Sequence, residues 1–220
     1  MIVRLGAIAI LPKNGCQGRL LFFEIMSGTK KPRVLNMNEE QYLTTVDIYL
    51  ADEEETSALA RQLAPMLCGT HPAIPPAERG GRIHLLGDLG AGKTSFTRAL
   101  LREAGISGRI KSPSYALLET YKLSNLYFYH LDFYRFSDPR EWIDAGFRDI
   151  LKKEAVVLIE WPERAGSLLP PPDLEISLAY ADPGRQARLT AHSNKGKLWL
   201  TTLALPLQGC PPKDSPGDVS

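Results

Sequence analysis

The chain has 220 residues, 44% hydrophobic and 23% charged, enough for one α/β domain with a full core plus ragged ends. Its net charge of +1 excludes a broad electrostatic footprint for nucleic acid and argues against tight, direct DNA or RNA binding by this chain alone. The three cysteines, Cys16, Cys68 and Cys210, lie far apart without C-x-x-C spacing. They read as free thiols in a reducing compartment, with no zinc site. No apolar run approaches the roughly 18 residues of a membrane span, so a cytoplasmic protein without membrane contact is expected.

In chain order, residues 1–36 read as separate from the rest. Residues 5–11 (LGAIAIL) follow Arg4 but end at Pro12-Lys13 without a small-residue cleavage pattern. Residues 20–26 (LLFFEIM) suit a strand, and Lys13-Asn14-Gly15 suits a turn. Met37 is a second plausible start, so 1–36 is either a real extension or a segment outside the functional protein. The functional domain is then 37–203, opening with a strand at 45–50 (TVDIYL).

Asp52 has the chemistry of a helix N-cap, with Glu53, Glu54 and Glu55 in the first turn, where carboxylates suit the helix dipole. Leu59, Leu63, Met66 and Leu67 form an apolar stripe down to Gly69, and Pro65 should kink or shorten the helix. Residues 69–81 form a loop rich in Pro and Gly.

Residues 82–86 (RIHLL) are of strand length, and 87–94 read Gly-Asp-Leu-Gly-Ala-Gly-Lys-Thr, a complete phosphate-binding loop of the form G-x-x-x-x-G-K-[ST]. Gly87, Gly90 and Gly92 let backbone N–H groups turn inward toward phosphate oxygens. Lys93 can reach the β- and γ-phosphates, and the Thr94 hydroxyl can ligate Mg²⁺. A helix over 93–104, closed by Gly105, points its positive end at the phosphates. The strand–loop–helix setting makes a chance match improbable.

The loop Lys111-Ser112-Pro113-Ser114-Tyr115 occupies the place where phosphate-loop switch proteins sense the γ-phosphate, and Ser112 and Ser114 offer hydroxyls to phosphate or Mg²⁺. Two runs, 115–121 and 126–134, joined by a short connection, predict an antiparallel hairpin. On the second run Asp132, His130 and Tyr134 share one face. Asp132 is open to two readings, a site carboxylate or a solvated surface acid paired with a basic neighbour. Asp138, Pro139 and Glu141 predict a capped helix reaching about Ala145.

Residues 155–160 (AVVLIE) form an apolar strand ending in an acid, the Walker B pattern with Glu160 in place of Asp. The remaining runs, 174–180, 187–192 and 197–203, read as strands, with turns at Asp182-Pro183-Gly184 and Asn194-Lys195-Gly196. The tail, 204–220, has a disordered composition. Arg98, Arg102, Arg109 and Lys111 form a basic cluster, either a partner contact or simply a solvated helix face.

Together GDLGAGKTSFTRALL, KSPSYALLETY, YHLDFYR and LIEWPER, in that order over about residues 45–203, resemble the TsaE (YjeE) family. The resemblance implies an α/β P-loop NTPase fold, a three-layer sandwich with a mixed sheet of parallel core and antiparallel strands. It implies an accessory ATPase that binds ATP and Mg²⁺ and works with TsaB and TsaD to form N6-threonylcarbamoyladenosine in tRNA, which it meets indirectly through the complex. It assigns Leu89, Gly90, Ala91, Gly92, Lys93 and Thr94 to the phosphates, and Thr94 and Glu160 to Mg²⁺. It makes Asp132 a residue needed for hydrolysis, brings Glu53 and Arg185 around the nucleotide, and lines the pocket with Trp161 and Glu163. The chain departs from the family in carrying Ser114 where Thr is usual, and in Pro65. A small-molecule kinase and a nucleotide-gated binding module remain alternatives. A kinase needs an Arg-rich lid, and no such segment is identifiable, although Arg135 and Arg140 are candidates for one.

Overall fold

The computed structural model describes residues 5–9, 21–24, 45–152 and 154–203. Two units are distinguished, Met1–Tyr42 and Leu43–Ser220. In the first, β1 (Leu5–Ala9) pairs antiparallel with β2 (Leu21–Glu24), with an irregular register between Gly6 and Ala9. The turn expected at 13–15, the tail, Cys16 and Cys210 lie outside the described residues; Cys68 is a free thiol.

The second unit is built on a seven-stranded mixed sheet, in the order β3-β9-β8-β4-β7-β6-β5. Its strands are β3 (Thr45–Leu50), β4 (Gly81–Leu86), β5 (Leu118–Leu123), β6 (Leu126–Asp132), β7 (Ala155–Glu160), β8 (Leu174–Ala181) and β9 (Gly184–Ala191). The four central strands β8, β4, β7 and β6 run parallel, while β5, β9 and β3 are attached antiparallel. The β5–β6 hairpin turns at Ser124-Asn125, with Ser124 at φ 52, as a two-residue hairpin loop requires.

Alternation along the strands sends side chains to two cores. On one face Ile83, Leu85, Phe128, Leu158, Ile176 and Leu189 pack with α1 (Glu53–Cys68), α2 (Lys93–Glu103) and α4 (Asn194–Thr202). On the other, Leu131, Val157 and Ile159 pack with Trp142 of the short α3 (Glu141–Asp144) and with Ile150 and Ala165 from 3-10 turns. This second layer covers only part of the sheet: along β8, β9 and β3 the same face is polar, and Arg188 and Asp47 form an ion pair there at 2.8 Å.

Helix α1 starts as its sequence dictates, Asp52 Oδ1 accepting from the Glu55 N–H. Pro65 does not shorten it. The proline sits in the last turn, the helix runs to Cys68, and Gly69 at φ 70 lets the Thr70 N–H bond the Pro65 carbonyl. Glu141 Oε1 accepts from the Ser137 and Asp138 N–H groups, the reciprocal half of a capping box, although α3 is only four residues long.

Several boundaries depart from expectation, β9 for one beginning at Gly184 and not at 187. Residues 115–117 are a turn, with Leu117 at φ 64, so β5 begins at Leu118. Strand β6 ends at Asp132, whose Oδ1 takes the Tyr134 N–H in a side-chain turn. The expected strand over 197–203 is helix α4, and Asn194-Lys195-Gly196 is its first turn instead of a strand-connecting turn. Ser193 caps it by accepting from the Gly196 N–H at 3.1 Å, and Gly196, Trp199, Leu200 and Leu203 bury one helical face.

Candidate nucleotide site

The parallel strands β4, β7 and β6 end side by side, and the chain after each builds one cleft of about 340 Å³. After β4 the loop 87–92 turns into α2. Gly87, at φ 129, allows a close passage: a Cβ there would lie 2.1 Å from the Leu178 carbonyl oxygen. Gly92, at φ 108, is the α2 N-cap, and a Cβ on it would meet Arg185 Nε at 3.2 Å. The first turn of α2 therefore presents its N–H groups and positive dipole end to the cleft.

Lys93 is 4% exposed and folded back onto its own loop, its Nζ donating to the carbonyls of Gly87 (2.5 Å) and Asp88 (2.9 Å). The ammonium also lies 3.9 Å from the centre of the Trp161 ring, a cation–π contact. Burial lowers its pKa, opposed by the carboxylates of Glu160, Glu163, Asp132 and Asp88. Trp161 holds a left-handed backbone (φ 58, ψ 46) at the end of β7, its N–H bonded to the Leu85 carbonyl. Its ring tilts against Tyr134 at 5.0 Å.

Next to the lysine, the Thr94 hydroxyl lies within hydrogen-bond distance of both Glu160 carboxylate oxygens, at 2.9 and 3.0 Å. Glu160 is 2% exposed and also meets His130 Nε2 at 2.7 Å. Asp132, its neighbour in register on β6, is 3% exposed. It accepts from Ser114 Oγ at 2.7 Å, and Ser114 Oγ pairs with Ser112 Oγ at 2.8 Å. The switch loop is further held by Arg135 Nε, which donates to the Ser114 carbonyl, and by the Arg135 guanidinium over the Tyr115 ring. Asp132 is thus no surface acid.

Most residues read from the sequence meet here. Leu89, Gly90, Gly92, Lys93, Thr94, Ser112, Ser114, Asp132, Glu160 and Trp161 line the cleft. Ala91 is buried beneath the loop, Arg185 stands behind Gly92, and Glu53 and Glu163 are exposed and outside the lining. Ser95 lines it without having been singled out, whereas Tyr134 was read only as sharing a strand face with Asp132 and Arg135 only as a candidate lid residue. His130 was seen only as sharing a strand face with Asp132.

The oxygen pair of Thr94 and Glu160 suits a hard cation such as Mg²⁺, which takes one or two protein oxygens and fills its other positions with water and phosphate. Among the described residues no cluster of three His, Cys, Asp or Glu could hold a metal by itself. These residues therefore fit a cation that arrives with a nucleotide. Nor, among the described residues, is any helix long and apolar enough to cross a membrane.

A phosphate loop between a parallel strand and a helix, at the carboxyl edge of a mixed sheet, defines a P-loop NTPase fold. The sequence model of the family described as threonylcarbamoyl adenosine biosynthesis protein TsaE matches residues 50–188, and the chain belongs to that family. It is 37% identical over 149 residues to the Haemophilus influenzae protein named tRNA threonylcarbamoyladenosine biosynthesis protein TsaE, covering 68% of this chain and 91% of that one. The Bacillus subtilis protein of the same name is 34% identical over 152 residues, 69% of this chain and 89% of the relative. The crystal structure of Bacillus subtilis YdiB superimposes with a TM-score of 0.55 at 26% identity, covering 71% of this chain and 92% of that one.

Proposed function

We propose that the chain is an accessory ATPase of tRNA threonylcarbamoyladenosine biosynthesis, acting in the cytoplasm with TsaB and TsaD and reaching tRNA through that complex. The domain that does this is 37–203, with 1–36 an extension and 204–220 a tail. The observation that carries the reading is the Thr94–Glu160 pair beside a buried Lys93, at the mouth of a complete phosphate loop.

The loop N–H groups and the α2 N-terminus bind the phosphates of ATP. Lys93 exchanges two backbone carbonyls for the β- and γ-phosphate oxygens, a stronger charge-assisted contact. Thr94 and Glu160 hold Mg²⁺, which when bound neutralises charge on those phosphates. Asp132 orients a water for attack on the γ-phosphorus; a new O–P bond forms as the bond to the β-phosphate oxygen breaks, and ADP leaves. Each Asp132 oxygen already accepts one hydrogen bond and retains a lone pair for that water. Ser114 ties the switch loop to the same carboxylate, so loop position and water position are coupled. Glu53, Glu163 and Arg185 close around the nucleotide once it is bound.

Phosphate release from ATP, measured alone and with purified TsaB and TsaD, tests the reading. Weak turnover that changes with the pair is expected. Brisk turnover indifferent to them, or phosphate transferred to a small acceptor, would overturn it in favour of a kinase.

A further inference from the structure

We propose that His130 is the positioning residue of the Glu160 carboxylate, fixing it as a cation ligand whether or not a nucleotide is bound; this rests on the Mg²⁺ reading above. Within the sheet, Asp132 pairs with Glu160 and His130 with Leu158, so all four side chains project from one face. The His130 ring reaches diagonally across to Glu160 Oε1 at 2.7 Å. His130 is fully buried and Glu160 nearly so, and water does not compete for the contact.

An ionised carboxylate can only accept a hydrogen bond, so Nε2 carries the hydrogen and the tautomer is set. The other ring nitrogen, Nδ1, has no hydrogen-bond partner among the described residues. A buried polar atom without a partner costs roughly 1–3 kcal/mol, which an apolar residue at this position would avoid. Among the described residues the ring's one polar contact is with Glu160, and that contact accounts for a histidine inside the core.

The length of Glu160 makes the tether necessary. Glutamate has one more rotatable bond than the aspartate usual at the end of a Walker B strand, and so more ways to miss a cation. Thr94 also donates to Glu160, but it sits in the first turn of α2 and so belongs to the phosphate loop. The His130 contact comes from the neighbouring strand and is independent of the phosphate loop. Such partners of metal-ligating groups typically change metal affinity by 10–100-fold.

The test is the affinity for a non-hydrolysable ATP analogue, measured in excess EDTA and in Mg²⁺, for the full chain and its His130→Ala and His130→Gln variants. Glutamine places an N–H donor near the position of Nε2. In the unaltered chain Mg²⁺ should tighten binding. His130→Gln should keep that enhancement. His130→Ala should lose about 10–100-fold of it, while its affinity in EDTA stays within about twofold. If His130→Ala does not fold, His130→Leu, near in volume and lacking the donor, replaces it. An alanine or leucine variant with the full enhancement overturns the proposal, as does a glutamine variant as defective as alanine. If the unaltered chain shows no Mg²⁺ enhancement, the metal reading and this proposal fall together, which separates that failure from the other two.

Discussion

Lys93 and Asp132 are both buried, yet they should fail in different ways. Lys93→Ala removes the charge that meets the phosphates, and nucleotide affinity should fall tens- to hundredfold, roughly 2–3 kcal/mol, by equilibrium titration. Asp132→Ala should leave binding intact and lower turnover by about 10²-fold or more in a phosphate-release assay. A third residue sets an acid limit on stability. His84 is 5% exposed; burial chiefly, then Arg82 and His192, push its pKa from 6.5 down to about 3. The unfolded chain therefore takes up a proton below pH 6.5 that the folded chain refuses down to pH 3. Stability should fall across that window, by about 2 kcal/mol at pH 5, and His84→Phe should flatten the slope in denaturant titrations. At this scale the sequence was informative wherever a motif constrains chemistry, as at 87–94. It was least so at His130, whose role depends on a neighbour 30 positions away.

Helix α1 was readable from Asp52 and its acidic first turn, because that capping is local. Helix α4 was not. Its residues 197–203 (KLWLTTL) are strand-like in composition, and Trp199, Leu200 and Leu203 give only a single turn of helical spacing, which the buried glycine Gly196 extends without an apolar side chain. At that glycine α4 sits tight against the chain ahead of β8: a Cβ would lie 1.9 Å from the Asp173 carbonyl oxygen. Alanine normally favours a helix over glycine by about 1 kcal/mol. Here Gly196→Ala should instead destabilise by about 3 kcal/mol or more, because backbone must move. Thr201→Ala, on the exposed side of the same helix, should stay within about 0.5 kcal/mol, and thermal unfolding compares the two.

For the whole molecule, the parallel core was foreseeable from strand–loop–helix order, and the hairpin from its short connection. The order of the seven strands was not, since β8 and β9 reach β4 and β3 through pairings that no local signal encodes. That topology brings the ends of β4, β6 and β7 together, and with the loop carrying Ser112 and Ser114 four segments scattered over 89–161 share one cleft. It also divides the three tryptophans. Trp142 and Trp199 are sealed in opposite cores at 1% and 0% exposure, and only Trp161 stands at the cleft, against the Lys93 ammonium. The protein thus carries its own optical probe, because a lysine that turns to phosphate leaves the face of the Trp161 ring. Adding nucleotide should change the intrinsic emission, and Trp161→Phe should abolish the change while the light from the two core indoles persists.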